Sequence, residues 1–146
     1  MNLPAMYFVR LERQNKAQHV GRLSEMYFNR GQRILIVVAN EEMATALDRY
    51  LWTFSKESFL PHVVHRDGNE SCADVILIST VEHNHNKADV LICVSPCSPS
   101  FLKEFQFIYD FAETYDAPLA AAARERFRLY RQYGFDPQME PSATSD

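Results

Sequence analysis

Glycine is scarce in this sequence, and the glycine-rich loops that bind nucleotides are missing from it. The 146 residues contain four glycines, and none of them lies in a GxGxxG or GxxxxGK[ST] spacing. The turn after the first predicted strand, residues 12–15, carries four large side chains where the backbone of a dinucleotide-binding protein must approach the pyrophosphate. Glu41 and Glu42 follow the second predicted strand and would repel a phosphate. The sequence therefore predicts no glycine-dependent nucleotide site and no cofactor.

Paired cysteines, an excess of basic charge and long apolar runs are also lacking. The three cysteines, Cys72, Cys93 and Cys97, are an odd number, which fits a reducing cytoplasm better than a disulfide framework. The net charge of −4 argues against direct binding of nucleic acid, because proteins that bind it are normally basic. No apolar run approaches membrane-spanning length, and residues 1–11 lack the pattern of a signal peptide. We expect a cytoplasmic protein that contacts no membrane and binds nucleic acid little.

Apolar segments alternate with helical patterns along the chain. Strands are predicted at residues 5–11, 33–39, 74–78 and 89–94. Residues 107–111 either end a helix or form an edge strand, and we favour the strand. Helices are predicted at residues 15–30, 40–52, 100–105 and 116–133. This alternation predicts an α/β fold, a three-layer α/β/α sandwich around a mostly parallel central sheet. One domain is expected over residues 1–135, and the polar, proline-containing residues 136–146 are expected to be a disordered tail.

Histidines and cysteines of the kinds found in metal and catalytic sites are present, but none forms a complete set. His62 and His65, and likewise His83 and His85, have the short spacings that metal ligands show. We interpret them as solvated histidines and expect no metal. Cys97 follows a strand, at the end of the sheet where α/β active sites gather. An enzyme of nucleotide or hydrolytic chemistry that uses Cys97 with His62 or His83 is therefore the alternative to a non-catalytic protein.

An unusually apolar stretch follows the second predicted helix. Residues 51–62 contain Trp52, Phe54, Phe59 and Pro61. Large apolar side chains in an irregular segment either fold back into the core or anchor a partner protein. The sequence leaves both alternatives open.

The last predicted helix carries a concentration of basic charge. Residues 120–135 contain four arginines and a single glutamate. Arg124, Arg128 and Arg131 are spaced i, i+4 and i+7, so they share one face of the helix. No acidic residue lies four positions from them, and a carboxylate from another molecule would relieve their mutual repulsion. The sequence therefore predicts an acidic partner for this helix face.

Two strings of residues in these segments resemble the chi subunit family of bacterial DNA polymerase III holoenzyme. The first string comprises Leu51-Trp52 and Glu57-Ser58-Phe59-Leu60-Pro61-His62. The second string comprises Ala123-Arg124-Glu125-Arg126-Phe127-Arg128, Tyr130-Arg131 and Gly134-Phe135. The resemblance extends over about residues 6–135 and implies a Rossmann-like domain.

The resemblance also implies a role and a set of partners. Members of the family are non-enzymatic accessory subunits that bind the psi subunit, which ties them to the clamp loader, and the acidic C-terminal tail of single-stranded DNA-binding protein. The residues that match the psi interface are Trp52, Phe59, Pro61 and His62. The residues expected to bind the tail are Arg124, Phe127, Arg128 and Arg131, while another basic family position falls on Ala120. A helicase is an alternative partner for the psi-side residues.

Overall fold

Strands form where the sequence has its apolar runs. The computed structural model describes residues 3–54, 60–66 and 74–140. The strands within these residues are Ala5–Leu11 (β1), Ile34–Val37 (β2), Val63–Val64 (β3), Ile76–Ser79 (β4), Val90–Cys93 (β5), Phe107–Glu113 (β6) and Pro137–Glu140 (β7). Every residue of β2, β4 and β5 is buried, because both faces of the sheet are covered where these strands lie.

Four helices connect the strands, and two of them begin at the capping residues that the sequence indicates. The helices are Lys16–Asn29 (α1), Glu41–Thr53 (α2), Pro99–Leu102 (α3) and Ala117–Gln132 (α4). The Asn40 side chain accepts a hydrogen bond from the backbone N–H of Met43 at 2.9 Å, and Asp116 accepts one from Leu119 at 3.1 Å. Within the described residues, no helix has the length and apolar character needed to cross a bilayer.

The seven strands form one sheet in the order β3-β4-β2-β5-β6-β1-β7, and every pairing is parallel. Alternate residues face opposite sides, so Ile34 and Ile36 belong to one core while Leu35 and Val37 belong to the other. Helices α1 and α2 cover the first core, and α3 and α4 cover the second. The predicted three-layer α/β sandwich with a mostly parallel, Rossmann-like sheet is confirmed.

Two strands lie where the sequence predicts none. Strand β3 lies in a stretch expected to be irregular, and it pairs over two residues with β4. Strand β7 lies in the segment expected to be a disordered tail, where Pro137 is buried beside Met6 in parallel register with β1. Both pairings depend on strands distant in sequence, so the local composition contains no signal for them. Residues 141–146 of the expected tail lie outside the described part of the chain.

Candidate protein-binding sites

The arginines of α4 differ in their surroundings according to the side of the helix they occupy. Arg126 points toward the sheet, and its Nε lies 3.0 Å from Oδ2 of Asp110 on β6. The Asp110 side chain is 4% exposed, and burial raises the pKa of this carboxyl while the Arg126 guanidinium opposes the rise. Arg126 also donates to the backbone oxygen of Phe111 at 3.0 Å. This arginine therefore fastens α4 to β6 and is not part of the exposed basic face.

Arg124, Arg128 and Arg131 are exposed, as the helical spacing predicts. Arg128 forms an ion pair with Glu125 at 2.9 Å, and the Arg131 guanidinium lies 5.3 Å from the centre of the Phe127 ring. The lack of an acidic residue four positions away therefore does not leave Arg128 without a partner, because a helix also brings residues three apart together. Among the described residues, no carboxylate lies within ion-pair distance of Arg124.

A groove of about 350 Å³ lies between α4 and strands β1, β6 and β7, and we call it the α4 groove. Its lining residues are Phe8, Arg10, Ala112, Thr114, Ala120, Ala123, Arg124, Phe127 and Met139. Phe127 is half-buried and packs on Phe8 with the ring centres 5.3 Å apart. Two guanidinium groups beside small and apolar side chains can hold an apolar group that carries a carboxylate. The groove therefore suits an acidic peptide with an apolar side chain.

Sequence reasoning identified Arg124 and Phe127 in this groove and missed Arg10 and Met139. Arg10 follows Phe8 by two residues on β1, so both side chains point to the α4 side of the sheet. Because side chains alternate between the two faces of a strand, the sequence of β1 could have indicated that Arg10 lies on the same face as Phe8. Met139 reaches the groove because β7 pairs with β1, and the sequence contained no signal for that pairing. Arg128 and Arg131 lie outside the lining of the groove, on the same helix.

Trp52 and His62 form a second candidate site near the end of α2, which we call the Trp52 surface. The Trp52 side chain is 49% exposed, and its ring system packs on the buried His62 ring with centres 4.3 Å apart. The neighbouring Pro61 is half-buried. Phe59, the remaining residue predicted for this interface, lies outside the described residues. The structure therefore brings Trp52, Pro61 and His62 together.

His62 is held in place by hydrogen-bonding atoms on both sides of its ring. Its Nδ1 lies 2.7 Å from the backbone oxygen of Leu60, and its Nε2 lies 3.1 Å from the backbone oxygen of Asp48. An Asp48 carboxylate oxygen lies 3.3 Å from the same Nε2. His62 thereby joins the segment before β3 to α2, and its ring packs against one side of the Trp52 ring system.

The two candidate sites lie toward opposite edges of the sheet. His62 immediately precedes β3, which is one edge strand, whereas the α4 groove is lined from β6, β1 and the other edge strand β7. Two partners can therefore contact the domain without competing for the same residues.

Cys97 does not lie within hydrogen-bond distance of a histidine in the described part of the chain. Its Sγ lies 3.7 Å from the backbone oxygen of Ser95, and its own backbone oxygen accepts a hydrogen bond from Tyr130 at 3.1 Å. Cys93 lies beside it, and the contact with Cys97 together with burial raises the pKa of the Cys93 thiol well above its usual range. These surroundings keep the Cys93 thiol protonated.

Three histidines from two loops stack against one another. The His65 and His85 rings are 3.7 Å apart at their centres, and His83 lies edge-on to His85 at 4.6 Å. Burial lowers the pKa of His85, and the charges of His65 and His83 lower it further. Within residues 3–54, 60–66 and 74–140, no group of three potential ligands is arranged to hold a metal ion.

The carboxyl ends of β2 and β5, where open α/β sheets usually bind ligands, are closed by a lysine. Lys16 Nζ donates to the backbone oxygen of Val94 at 3.3 Å and forms an ion pair with Glu113 at 3.3 Å. The adjoining crevice of about 270 Å³ is lined mostly by apolar side chains, including Val38 and Leu47. The crevice presents one cation, Lys16, which is already paired.

Solved structures with the same fold include the C-terminal domain of S. cerevisiae Dbp5. That domain aligns with 99% of this chain and 92% of its own length, with a TM-score of 0.61 and 14% sequence identity. A second Dbp5 structure, bound to RNA, aligns with 96% of this chain and 42% of its own length, with a TM-score of 0.68 and 11% identity. At these identities the similarity concerns the fold alone.

Curated relatives are similar in sequence as well. DNA polymerase III subunit chi of Escherichia coli strain K12 is 33% identical over 106 residues, which cover 73% of this chain and 71% of that protein. The Pseudomonas aeruginosa subunit chi is 29% identical over 117 residues, covering 80% of each chain. The family described as DNA polymerase III chi subunit, HolC, matches residues 3–138. This match spans both candidate sites and nearly all described residues, and the chain belongs to the DNA polymerase III chi subunit family.

Proposed function

We propose that this protein is a non-catalytic accessory subunit that links the replicative DNA polymerase to template coated with single-stranded DNA-binding protein. In this role it binds the acidic C-terminal tail of that protein at the α4 groove and the psi subunit of the clamp-loader assembly at the Trp52 surface, in the cytoplasm. The observation that carries the proposal is the α4 groove, where Arg10 and Arg124 flank an apolar slot.

Tail recognition at the α4 groove combines charge with apolar contact. The tail in this family ends in acidic residues and an apolar residue with a free carboxylate. In the described part of the chain no carboxylate forms an ion pair with Arg124, so it is available to bind the free carboxylate of the tail, with Arg10 across the groove. Phe127, Ala120 and Ala123 offer the apolar wall on which the terminal side chain packs. Arg128 and Arg131, further along the same helix, contribute to binding the preceding acidic residues.

The psi subunit is the partner we assign to the Trp52 surface. A half-exposed tryptophan supported by a fixed ring is typical of residues that anchor protein interfaces. Pro61 and His62 form its surroundings, and Phe59 completes the proposed interface. A helicase is the competing partner for the same residues. Because this surface and the α4 groove lie toward opposite edges of the sheet, one molecule is able to bridge psi and the tail.

The alternative, an enzyme centred on Cys97, has less support. A cysteine nucleophile needs a base within hydrogen-bond reach, and Cys97 lies near the backbone oxygen of Ser95 without a histidine beside it in the described residues. We therefore assign the protein no active site of its own.

Titration of a fluorescent tail peptide into the purified protein tests the proposal. Arg124→Ala should weaken binding of the peptide roughly tenfold, because one charged hydrogen bond contributes about 1.5 kcal/mol. Arg22→Ala removes an exposed arginine from α1 and serves as the matched control, with affinity unchanged. A peptide that lacks the terminal apolar residue should also bind weakly. Equal affinities of the wild type and Arg124→Ala would refute the assignment of the α4 groove.

A further inference from the structure

A second groove lies on the opposite side of the same three strands, between α1 and strands β6, β1 and β7. This groove, which we call the aromatic groove, has a volume of about 330 Å³. Its walls include four aromatic residues, Tyr7, Tyr27, Phe107 and Tyr109, and two charged residues, Arg30 and Glu140. None of the proposed contacts with psi or with the tail uses these residues.

The rings of the aromatic groove form one connected cluster. Tyr7 stacks on Tyr109 with centres 5.1 Å apart, and Tyr27 meets Tyr109 edge-on at 5.8 Å. The hydroxyl oxygens of Tyr27 and Tyr109 lie 2.6 Å apart, and burial raises the pKa of both phenols, so both stay neutral. Tyr7 and Phe107 are only half-buried and are accessible from the groove. The faces of neutral aromatic rings carry partial negative charge and attract cations.

Glu140 adds a full negative charge to this groove. Its side chain is half-buried, and no hydrogen bond or ion pair to it is formed by the residues that the structure describes. Its charge contributes to raising the pKa of both Tyr27 and Tyr109, so the carboxylate acts electrostatically on the ring cluster. A carboxylate beside several ring faces is the combination that recognises an ammonium or guanidinium group.

Arg30 shows that the rings hold a cation. Its guanidinium carbon lies 5.3 Å from the centre of the Tyr27 ring, on an exposed side chain at the end of α1. Arg30 is not paired with Glu140, so it leaves the carboxylate and the Tyr7 ring available. An incoming cation would be repelled by Arg30 and attracted by Glu140 and Tyr7.

We propose that the aromatic groove binds a lysine or arginine side chain of a partner protein. The occupant follows from charge complementarity. The accessible rings of Tyr7 and Phe107 and the Glu140 carboxylate, which no described residue pairs, favour a cation. The α4 groove on the other side, with its two arginines, favours an anion. A side chain fits better than a free ion, because the aliphatic stem of lysine or arginine can pack along Leu23 and Met26 on α1. The domain thus presents sites of opposite charge preference on the two faces of one sheet.

Nuclear magnetic resonance titration with two pairs of probes tests this proposal. The first pair is tetramethylammonium and the neutral tert-butanol; the second is a capped Gly-Ser peptide with a central arginine and the same peptide with glutamine. The cationic probe of each pair should shift the ring resonances of Tyr7 and Tyr109, and the neutral probe should not. Equal shifts from charged and neutral probes would overturn the proposal, and so would binding of tetramethylammonium without binding of the arginine peptide.

Substitutions of groove residues test whether the arginine peptide binds in the aromatic groove. Glu140→Gln should weaken binding of the arginine peptide roughly fivefold, because it removes the charge that attracts the peptide. Arg30→Ala should strengthen binding, because it removes a charge that repels the peptide. Tyr7→Leu should weaken binding, whereas Tyr133→Leu, at the exposed tyrosine that follows α4, is the control and should not. Unfolding temperatures of all four variants establish that they are folded. Unchanged affinity in Glu140→Gln and Tyr7→Leu, with both variants folded, would overturn the proposal.

Discussion

At the scale of single residues, side chains of the same type have different roles according to the direction in which they point. Arg126 and Arg128 are two positions apart on α4, and the helical turn places them on different sides of the helix. Arg126 meets Asp110 in the interior, whereas Arg128 lies in solvent beside Glu125. The buried pair is expensive to break, since losing either partner leaves an isolated charge, while the exposed pair contributes little to stability.

Trp52 provides the first prediction at this scale. Trp52→Ala should weaken binding of the psi subunit about thirtyfold, because truncating an anchor residue of an interface costs about 2 kcal/mol or more. The unfolding temperature should change little, since half of the side chain is already exposed. Calorimetric titration with psi measures the affinity, and Tyr133→Ala, another exposed aromatic residue, is the control. A variant that binds psi normally, or that unfolds, would contradict the assignment of Trp52.

His85 provides a prediction about pH. Its pKa is lowered in the folded protein, first by burial and then by His65 and His83, and its Nε2 is buried without a hydrogen bond from any described residue. Below about pH 6.5, the ordinary histidine value, the unfolded chain therefore binds a proton that the folded chain resists. The stability that is present above this pH should be lost as the pH falls toward the lowered value. Burial lowers the pKa of His19 as well, so it should contribute in the same direction.

Urea unfolding between pH 7.5 and pH 5 measures this effect. The free energy of unfolding of the wild type should decrease toward pH 5, and His85→Gln should show a shallower decrease. The remaining slope in the variant is expected from His19. Identical slopes for the wild type and His85→Gln would show that the histidine stack does not couple to folding.

At the scale of elements, α4 and β7 together build the α4 groove. Helix α4 supplies its arginine, alanines and Phe127, and β7 closes the groove with Met139 from the far side of β1. Strand β7 also contributes Glu140 to the aromatic groove. A four-residue strand at the edge of the sheet therefore contributes to a groove on each face, because successive side chains along a strand point in opposite directions.

The start of α4 provides the prediction for this scale. Asp116→Ala should lower the free energy of unfolding by about 1 kcal/mol, because the bond from the backbone N–H of Leu119 to the capping carboxylate is lost. Thermal unfolding should show a decrease of roughly 3 °C. Asp116→Ser retains a capping oxygen and should lose less, while Asp136→Ala, at an exposed aspartate outside α4, should change the stability little. Equal destabilisation by Ala and Ser at position 116 would contradict a capping role.

At the scale of the whole molecule, charged residues are distributed unevenly over the surface. The chain carries a net charge of −4, yet the α4 groove has two arginines and few compensating carboxylates. The Trp52 surface lies toward the other edge of the sheet. This separation favours short charged segments of proteins as partners and disfavours a long phosphate backbone, which would have to pass over acidic surface.

Direct binding to single-stranded DNA should accordingly be weak. A labelled oligothymidine mixed with the isolated chain should show no binding tighter than about 10 µM at physiological salt, because a few arginines on one helix release few counterions. Fluorescence anisotropy measures this, with single-stranded DNA-binding protein as the positive control. Adding that protein should recruit the chain to the oligothymidine. Submicromolar binding by the chain alone would contradict the proposed division between protein and DNA contacts.

Local sequence patterns predict the α/β class, the buried central strands, the caps at Asn40 and Asp116, and the exposed arginine face of α4. These features depend on interactions within a few residues, so the periodicity of apolar side chains and the chemistry of caps specify them. The same local reasoning identified Arg124 and Trp52 as candidate site residues, and the family resemblance added Phe127.

Which of these residues share a surface depends on how distant parts of the chain pack together. Arg10 and Met139 join Arg124 because β1, β6 and β7 are neighbours in the sheet, although β7 is more than a hundred residues from β1 along the chain. The difference between the buried Arg126 and the exposed arginines of α4 also depends on β6, because Arg126 forms its ion pair with Asp110 on that strand. The aromatic groove likewise requires rings from α1, β1 and β6 to meet. Pairing between distant strands is selected by packing over the whole domain, which no local window of the sequence contains.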